Sequence, residues 1–81
     1  MRVFFTDPFL RQLKKLPNET KRKLKKQITF LLINLQHPSL RAKKYDEARD
    51  IWQARVDGYY RFYFKIDDDT YIIVGIIKHP K

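Results

Sequence analysis

The run "DGYYRFYFKI", residues 57–66, decides the fold. Its residues alternate: Tyr60, Phe62, Phe64 and Ile66 share one side of an extended chain, and Tyr59, Arg61, Tyr63 and Lys65 share the other. Large apolar side chains at period two belong under a covering layer, so Arg61 faces the uncovered side of a sheet. Asp57-Gly58 is a hairpin turn signal, and "DDD" at 67–69 is a second turn. The run is thus the middle strand of a meander, between "IWQARV" at 51–56 and "TYIIVGIIK" at 70–78. In the preceding strand Trp52, Ala54 and Val56 form one side, and Ile51, Gln53 and Arg55 the other. Arg55 and Arg61 then lie on adjacent strands of the open face. Two guanidinium groups so placed make a phosphate-sized site.

Upstream, "MRVFF" has the composition of a short strand. Asp7 reads as an N-cap with Pro8 at the first helical position, and Phe9, Leu10, Leu13 and Leu16 recur at helical spacing until Pro17. Asn18 offers a second N-cap. Leu24, Ile28, Leu31, Leu32 and Leu35 then form an apolar stripe, with Lys21, Arg22, Lys25, Lys26 and Gln27 off it. Periodicity is lost after Pro38, so residues 37–50 read as a loop or a brief extended crossing. The expected order is β-α-α-β-β-β. It is an α+β fold, with a two-helix hairpin on one face of a small, mostly antiparallel four-stranded sheet, forming one domain over residues 1–81.

At 81 residues, with 43% hydrophobic and 15% aromatic content, a compact core is available without staples, although a deep cavity is not. No cysteine is present, which removes disulfides and thiolate zinc sites and fits a reducing compartment; cytoplasmic residence is the default. The N-terminus is too short in apolar residues for a signal peptide, and "YIIVGII" at 71–77 is far below the ~20 residues of a spanning helix. No membrane association is expected.

The net charge is +9 and the isoelectric point about 10.0, which points to a polyanionic partner. Residues 1–44 hold 12 Lys and Arg against 2 Asp and Glu, whereas residues 45–81 hold 6 against 7, so the first half carries the excess. Lys21 to Lys26, "KRKLKK", grips RNA phosphates, meets an acidic protein, or is a solvated helix face. Sequence does not rank the three.

The helix hairpin "LKKLPNETKRKLKK", the segment "HPSLRAKKYDEARDIWQARVDGYYRFYFKI" and the closing "IIVGIIKHPK" together resemble the RelE/ParE superfamily of toxin–antitoxin toxins, over nearly the whole chain. The resemblance implies the toxin of a type II system. RelE-type members are ribosome-dependent endoribonucleases that cut mRNA in the decoding A site; ParE-type members poison DNA gyrase and lack the nuclease residues. Fold alone does not separate them. The first implies ribosome and mRNA as partners, both imply a cognate antitoxin protein, and a catalytically inactive relative is the third alternative.

Carried over residue by residue, Arg61 falls on the arginine that contacts the scissile phosphate in nuclease members, and Arg55 on a basic position of the preceding strand. His79 falls on a terminal position some members use for acid–base work. Lys43 and Lys44 fall where nuclease members have basic residues, and with Tyr59, Tyr63, Lys65 and Lys78 they complete the expected RNA-binding set. Three departures stand out. Ala42 is the position closest to the family's general-base glutamate, Gln53 stands where small members often have glutamate, and Pro80-Lys81 ends the chain where a tyrosine is common.

The implied chemistry is attack of a ribose 2′-OH on its own phosphate. Arg61 would bind the non-bridging oxygens, its charge independent of pH; an exposed arginine paired with Asp57 or Asp67 is the plainer alternative. His79, with an ordinary pKa of about 6.5, is the candidate general acid or base, or else a chain-end histidine. His37, before Pro38, has little claim to chemistry. Tyr59 and Tyr63 stack a splayed base or pack on one another. Trp52 belongs to the core, since Ala54 and Val56 share its side. With two separated histidines and a solvated "DDD" turn, neither a metal nor a small-molecule cofactor is expected.

Overall fold

The computed structural model describes residues 1–78. Strand β1 (Arg2–Phe5) leads into helix α1 (Asp7–Lys14), then helix α2 (Asn18–Ile33), and strands β2 (Lys43–Asp46), β3 (Ile51–Arg55), β4 (Tyr60–Asp67) and β5 (Thr70–Lys78). The strands form one sheet in the order β1-β5-β4-β3-β2, antiparallel except for the β1–β5 pair. The α+β class and the mostly antiparallel sheet are as expected, but five strands stand where four were expected.

The additional strand is β2, inside the segment read as a loop or crossing. Its sequence, Lys-Lys-Tyr-Asp, has no apolar alternation to reveal it. It pairs with β3 because the chain reverses over residues 46–50, where the Asp46 carboxylate accepts the Arg49 N–H at 3.2 Å and Asp50 takes a left-handed φ of 58°. Lysines on a sheet edge discourage further strand pairing, so the composition suits the position.

Both helix starts differ from expectation by one residue. Thr6 caps α1: its Oγ1 accepts the Phe9 N–H at 3.4 Å and donates to the Ile73 carbonyl at 2.9 Å, tying the cap to β5, while Asp7 sits in the first turn beside the positive end of the helix. The N-cap of α2 is Pro17, which contributes no side-chain bond, and Asn18 is the first helical residue.

The core lies between the helices and one sheet face. Phe9 of α1 and Leu24, Ile28 and Leu31 of α2 pack on Ala54, Phe62, Phe64, Tyr71, Ile73 and Ile76, with Phe62 and Phe64 wholly inaccessible. Trp52 stacks on Phe64 with ring centroids 6.2 Å apart, as a core residue should. In β5 the register slips: Tyr63 pairs with Gly75 but Phe64 with Ile73, so Val74 is an extra residue. The bulge breaks the period-two count on which the placement of the final residues rests. Where β1 stops and β5 would present a bare edge, Gln12 of α1 accepts the Ile76 N–H through Oε1 at 2.9 Å.

Gln27 departs most from the sequence reading. Placed off the apolar stripe, it is 5% exposed. Its Nε2 donates to the Ser39 carbonyl at 3.0 Å and the Arg55 carbonyl at 2.8 Å, and its Oε1 accepts from Ser39 Oγ at 2.9 Å. One buried amide thus joins α2, the loop before β2 and the end of β3. Replacing it with the similar-sized Gln27→Leu takes the buried amide partner from two part-buried carbonyls and a hydroxyl. We predict a loss of about 1–3 kcal/mol in urea-monitored stability; an unchanged midpoint would show that this network does not hold the loop.

Candidate functional site

Arg55 and Arg61 are directly opposed in the β3–β4 register, on the face away from the helices. Opposed residues of an antiparallel pair have Cβ atoms roughly 4.5–5.5 Å apart, so like charges there repel. Arg41, Lys43 and Gln53 join them around a hollow of about 230 Å³. Four cations line it, and among the described residues no carboxylate does. None of the four makes an ion pair among the described residues, although ion pairs occur around them at Lys23, Lys44 and Arg49.

Arg61 is half-buried and held by backbone rather than by an acid. Its Nη1 donates to the carbonyls of Asp57, at 2.6 Å, and Tyr60, at 2.9 Å. The Asp57 carboxylate is engaged elsewhere: Oδ1 accepts the N–H groups of Tyr59 and Tyr60 at 2.8 and 2.9 Å, and Oδ2 lies 3.6 Å from Lys23 Nζ. Pairing of Arg61 with the Asp57 carboxylate is therefore not what the structure has. Two carbonyls fix the guanidinium through one nitrogen, its charge is not cancelled, and its remaining N–H groups can bind an anion.

Arg55 and Arg41 are positioned by the Gln27 network. The Arg55 N–H donates to the Leu40 carbonyl at 2.7 Å, and its own carbonyl accepts from Gln27. Next to Leu40, Arg41 holds a left-handed φ of 47°, a conformation that a long side chain enters at a cost of order 1–3 kcal/mol unless the surroundings impose it. Here the bonds at Ser39 and Leu40 impose it.

The lysines divide by face. Lys43 pairs with Gln53 and belongs to the cluster. Lys44 pairs with Trp52 on the helix side, where its Nζ meets the Asp50 carboxylate and lies 5.1 Å from the Trp52 ring centroid. Lys78 pairs with Tyr60, also on the helix side. Neither Lys44 nor Lys78 can join Arg61, and the RNA-binding set loses both; the β5 bulge and the unrecognised β2 are the reasons. Lys65 keeps to the face of Arg61 and is exposed, one step further along β4 than Tyr63.

Tyr63 is half-buried on the open face, and Tyr45 meets it edge to face with ring centroids 5.0 Å apart and planes at 67°. Burial, with the neighbouring Tyr45, pushes the Tyr63 phenol above its ordinary pKa of 10.0, and Arg61 only partly opposes this. The phenol stays neutral and able to donate a hydrogen bond. Tyr59 lies before β4, 54% exposed, and is not part of the hollow. His37 is structural: it stacks on Phe30 at 4.0 Å, and its Nδ1 accepts the Ser39 N–H at 3.1 Å. His79 lies outside the described residues. Among the described residues no His, Asp or Glu cluster is arranged to hold a metal ion, and no helix is long and apolar enough to cross a membrane.

Sequence reasoning missed Arg41, Tyr45 and the positioning role of Gln27. Tyr45 was missed because β2 itself was, and it sits where the β2–β3 register shifts between Lys44 and Asp46. For Arg41 no signal existed, because its place depends on a loop held by a distant glutamine.

The profile of the family described as "ParE toxin of type II toxin-antitoxin system, parDE" matches residues 3–81. Among solved structures the chain is similar to a YoeB/ParE toxin from Agrobacterium tumefaciens, at 10% identity over 99% of this chain and 100% of that one, with a TM-score of 0.82. The RelBE2 toxin–antitoxin complex from Mycobacterium tuberculosis matches at 26% identity, covering 96% of each chain, with a TM-score of 0.76. The RelB–RelE antitoxin–toxin complex from Methanococcus jannaschii matches at 23% identity, over 93% of this chain and 88% of that one, with a TM-score of 0.74. No curated protein matches at the level of sequence. With a family profile spanning almost the whole sequence and the same architecture in these toxins, the chain belongs to the ParE toxin family of type II toxin–antitoxin systems and has the RelE-like fold.

Proposed function

We propose that this toxin is a ribosome-dependent endoribonuclease that cleaves mRNA in the A site, acts in the cytoplasm and is neutralised by a cognate antitoxin. The observation that carries the reading is the opposition of Arg55 and Arg61 in a cationic hollow that no carboxylate of the described residues lines. In the reaction, the ribose 2′-oxygen loses its proton and bonds to the adjacent phosphorus. The bond from phosphorus to the 5′-oxygen breaks, leaving a 2′,3′-cyclic phosphate, and the departing oxygen takes up a proton. Charge accumulates on the non-bridging oxygens at the transition state, where Arg61 and Arg55 stabilise it from fixed positions. Arg41 and Lys43 hold the flanking backbone. His79 is the proposed proton-transfer group; the reaction as written needs no metal. For the antitoxin, support comes from the similar RelE-type toxins of Mycobacterium tuberculosis and Methanococcus jannaschii, which were solved as antitoxin complexes.

A second reading, inhibition of DNA gyrase without nuclease chemistry, draws on the ParE family match. Purified protein in a reconstituted translation reaction, with 5′ ends mapped by primer extension, separates the two. The expected result is cleavage at A-site codons that requires ribosomes and falls roughly 10²–10³-fold in Arg61→Ala, the scale of losing one preorganised stabilising donor. Intact mRNA together with blocked gyrase supercoiling would establish the second reading instead. The facing of the lysines provides an independent check. For single-stranded RNA each phosphate contact contributes about 0.7 to the slope of log affinity against log salt. We predict that Lys43→Ala lowers that slope by about 0.7 and that Lys44→Ala leaves it unchanged; equal effects would contradict the assignment of faces.

A further inference from the structure

Beside the cationic hollow the open face carries a second one of about 260 Å³, with a different lining: Gln12, Tyr45, Ile51, Tyr63, Gly75 and Ile77. Strands β2, β3 and β4 contribute to both, and β5 and α1 complete the second. Each of the three shared strands gives both hollows a residue, two positions apart: Lys43 and Tyr45 from β2, Gln53 and Ile51 from β3, which also gives Arg55 to the first, and Arg61 and Tyr63 from β4. Two residues along a strand advance roughly 6–7 Å, comparable with the span from a nucleotide's phosphate to its own base. Charge gives way to aromatic surface over one such step.

The second hollow is kept open by particular residues. A Cβ on Gly75 would lie 3.2 Å from Gln12 Oε1, so a larger side chain would crowd the glutamine and enter the space. Gln12 spends its Oε1 on the Ile76 N–H, and its Nε2 has no hydrogen-bond partner among the described residues. That leaves an amide donor, beside the two tyrosine hydroxyls, in a lining that is otherwise apolar, the usual composition of a site that orients a flat heterocycle. The edge-to-face contact of Tyr45 with Tyr63 leaves ring surface uncovered, and Tyr45 is 60% exposed.

We propose that this hollow is a nucleobase site, in which a base of the RNA whose phosphate lies on Arg55 and Arg61 stacks on Tyr45 and Tyr63 and is oriented by the Gln12 amide. The proposal rests on the reading of the cationic hollow as an RNA phosphate site. It reassigns base stacking from Tyr59, outside both hollows, to Tyr45.

The test compares two probes by fluorescence anisotropy at low salt: a single-stranded RNA hexamer protected by 2′-O-methyl groups, and a hexamer of the same sugar-phosphate backbone without bases. Their charges are equal, so the difference in affinity reports on base contacts alone. The wild type should prefer the base-bearing strand by roughly fivefold to a hundredfold, the range of base–aromatic stacking. Tyr45→Ala and Tyr63→Leu should lose most of that preference, Tyr45→Phe should retain it, and Arg61→Ala should weaken both probes equally. Should Tyr63→Leu fail to fold by circular dichroism, Tyr45→Ala, an exposed ring on an edge strand, decides the matter. Wild-type protein that binds both probes alike, or a preference untouched by Tyr45→Ala, overturns the base site and leaves the phosphate reading standing. Binding of neither probe overturns both.

Discussion

Side chains alternate along a strand, and β4 meets that constraint with four residues. Burying Phe62 and Phe64 under two helices obliges Arg61 and Tyr63 to face the other way. A one-residue slip of register would put a guanidinium into the core and two phenyl rings into water, so the packing energy of the core fixes the direction of the functional face. Full burial of each phenylalanine contributes about 1.5–3 kcal/mol, more than the repulsion of opposed, partly solvated arginines. The core wins, and the arginines stay together.

Direction alone does not make a binding site, because long side chains on an open sheet face are free to turn away from one another. Backbone carbonyls supply the remaining restraint. Arg61 is held by the carbonyls of Asp57 and Tyr60, in a turn that the Asp57 carboxylate itself organises by accepting two N–H groups. On the other side, Gln27 joins Ser39 to Arg55 and so sets the loop from which Arg41 projects. Carbonyls orient a cation without cancelling its charge, which a carboxylate would do. The cluster therefore has fixed geometry and unspent charge, the combination needed to stabilise an anionic transition state or to hold a polyanion.

How much of this was legible in the sequence follows from where periodicity carries information. The alternation in residues 57–66 is sharp because one face of β4 is buried and the other is not, and it correctly gave the meander, the inward phenylalanines and the Arg55–Arg61 pair. β5 lacks that contrast: Tyr71 to Ile77 is apolar on both sides, so the bulge at Val74 leaves no mark and Lys78 was included in the RNA-binding set although it pairs with Tyr60 on the helix side. β2 fails for the opposite reason, being polar on both sides, and without a strand there was no means of separating Lys43 from Lys44. Gln27 was read as solvated because a polar residue in a helix usually is. Its partners are carbonyls 12 and 28 positions away, and no local pattern encodes such bonds.

The two open-face hollows also bear on why one fold accommodates toxins with different targets. The restraints on Arg61, Arg55 and Arg41 belong to the scaffold, through backbone carbonyls and a buried amide, and do not depend on any acid or base in the hollow. Proton-transfer groups can then be gained or lost in the lining, at positions such as Gln53, without disturbing the cationic frame. Cleavage needs both components, whereas occlusion of a negatively charged surface needs only the first. The fold therefore identifies the family, while the function must be argued from individual residues.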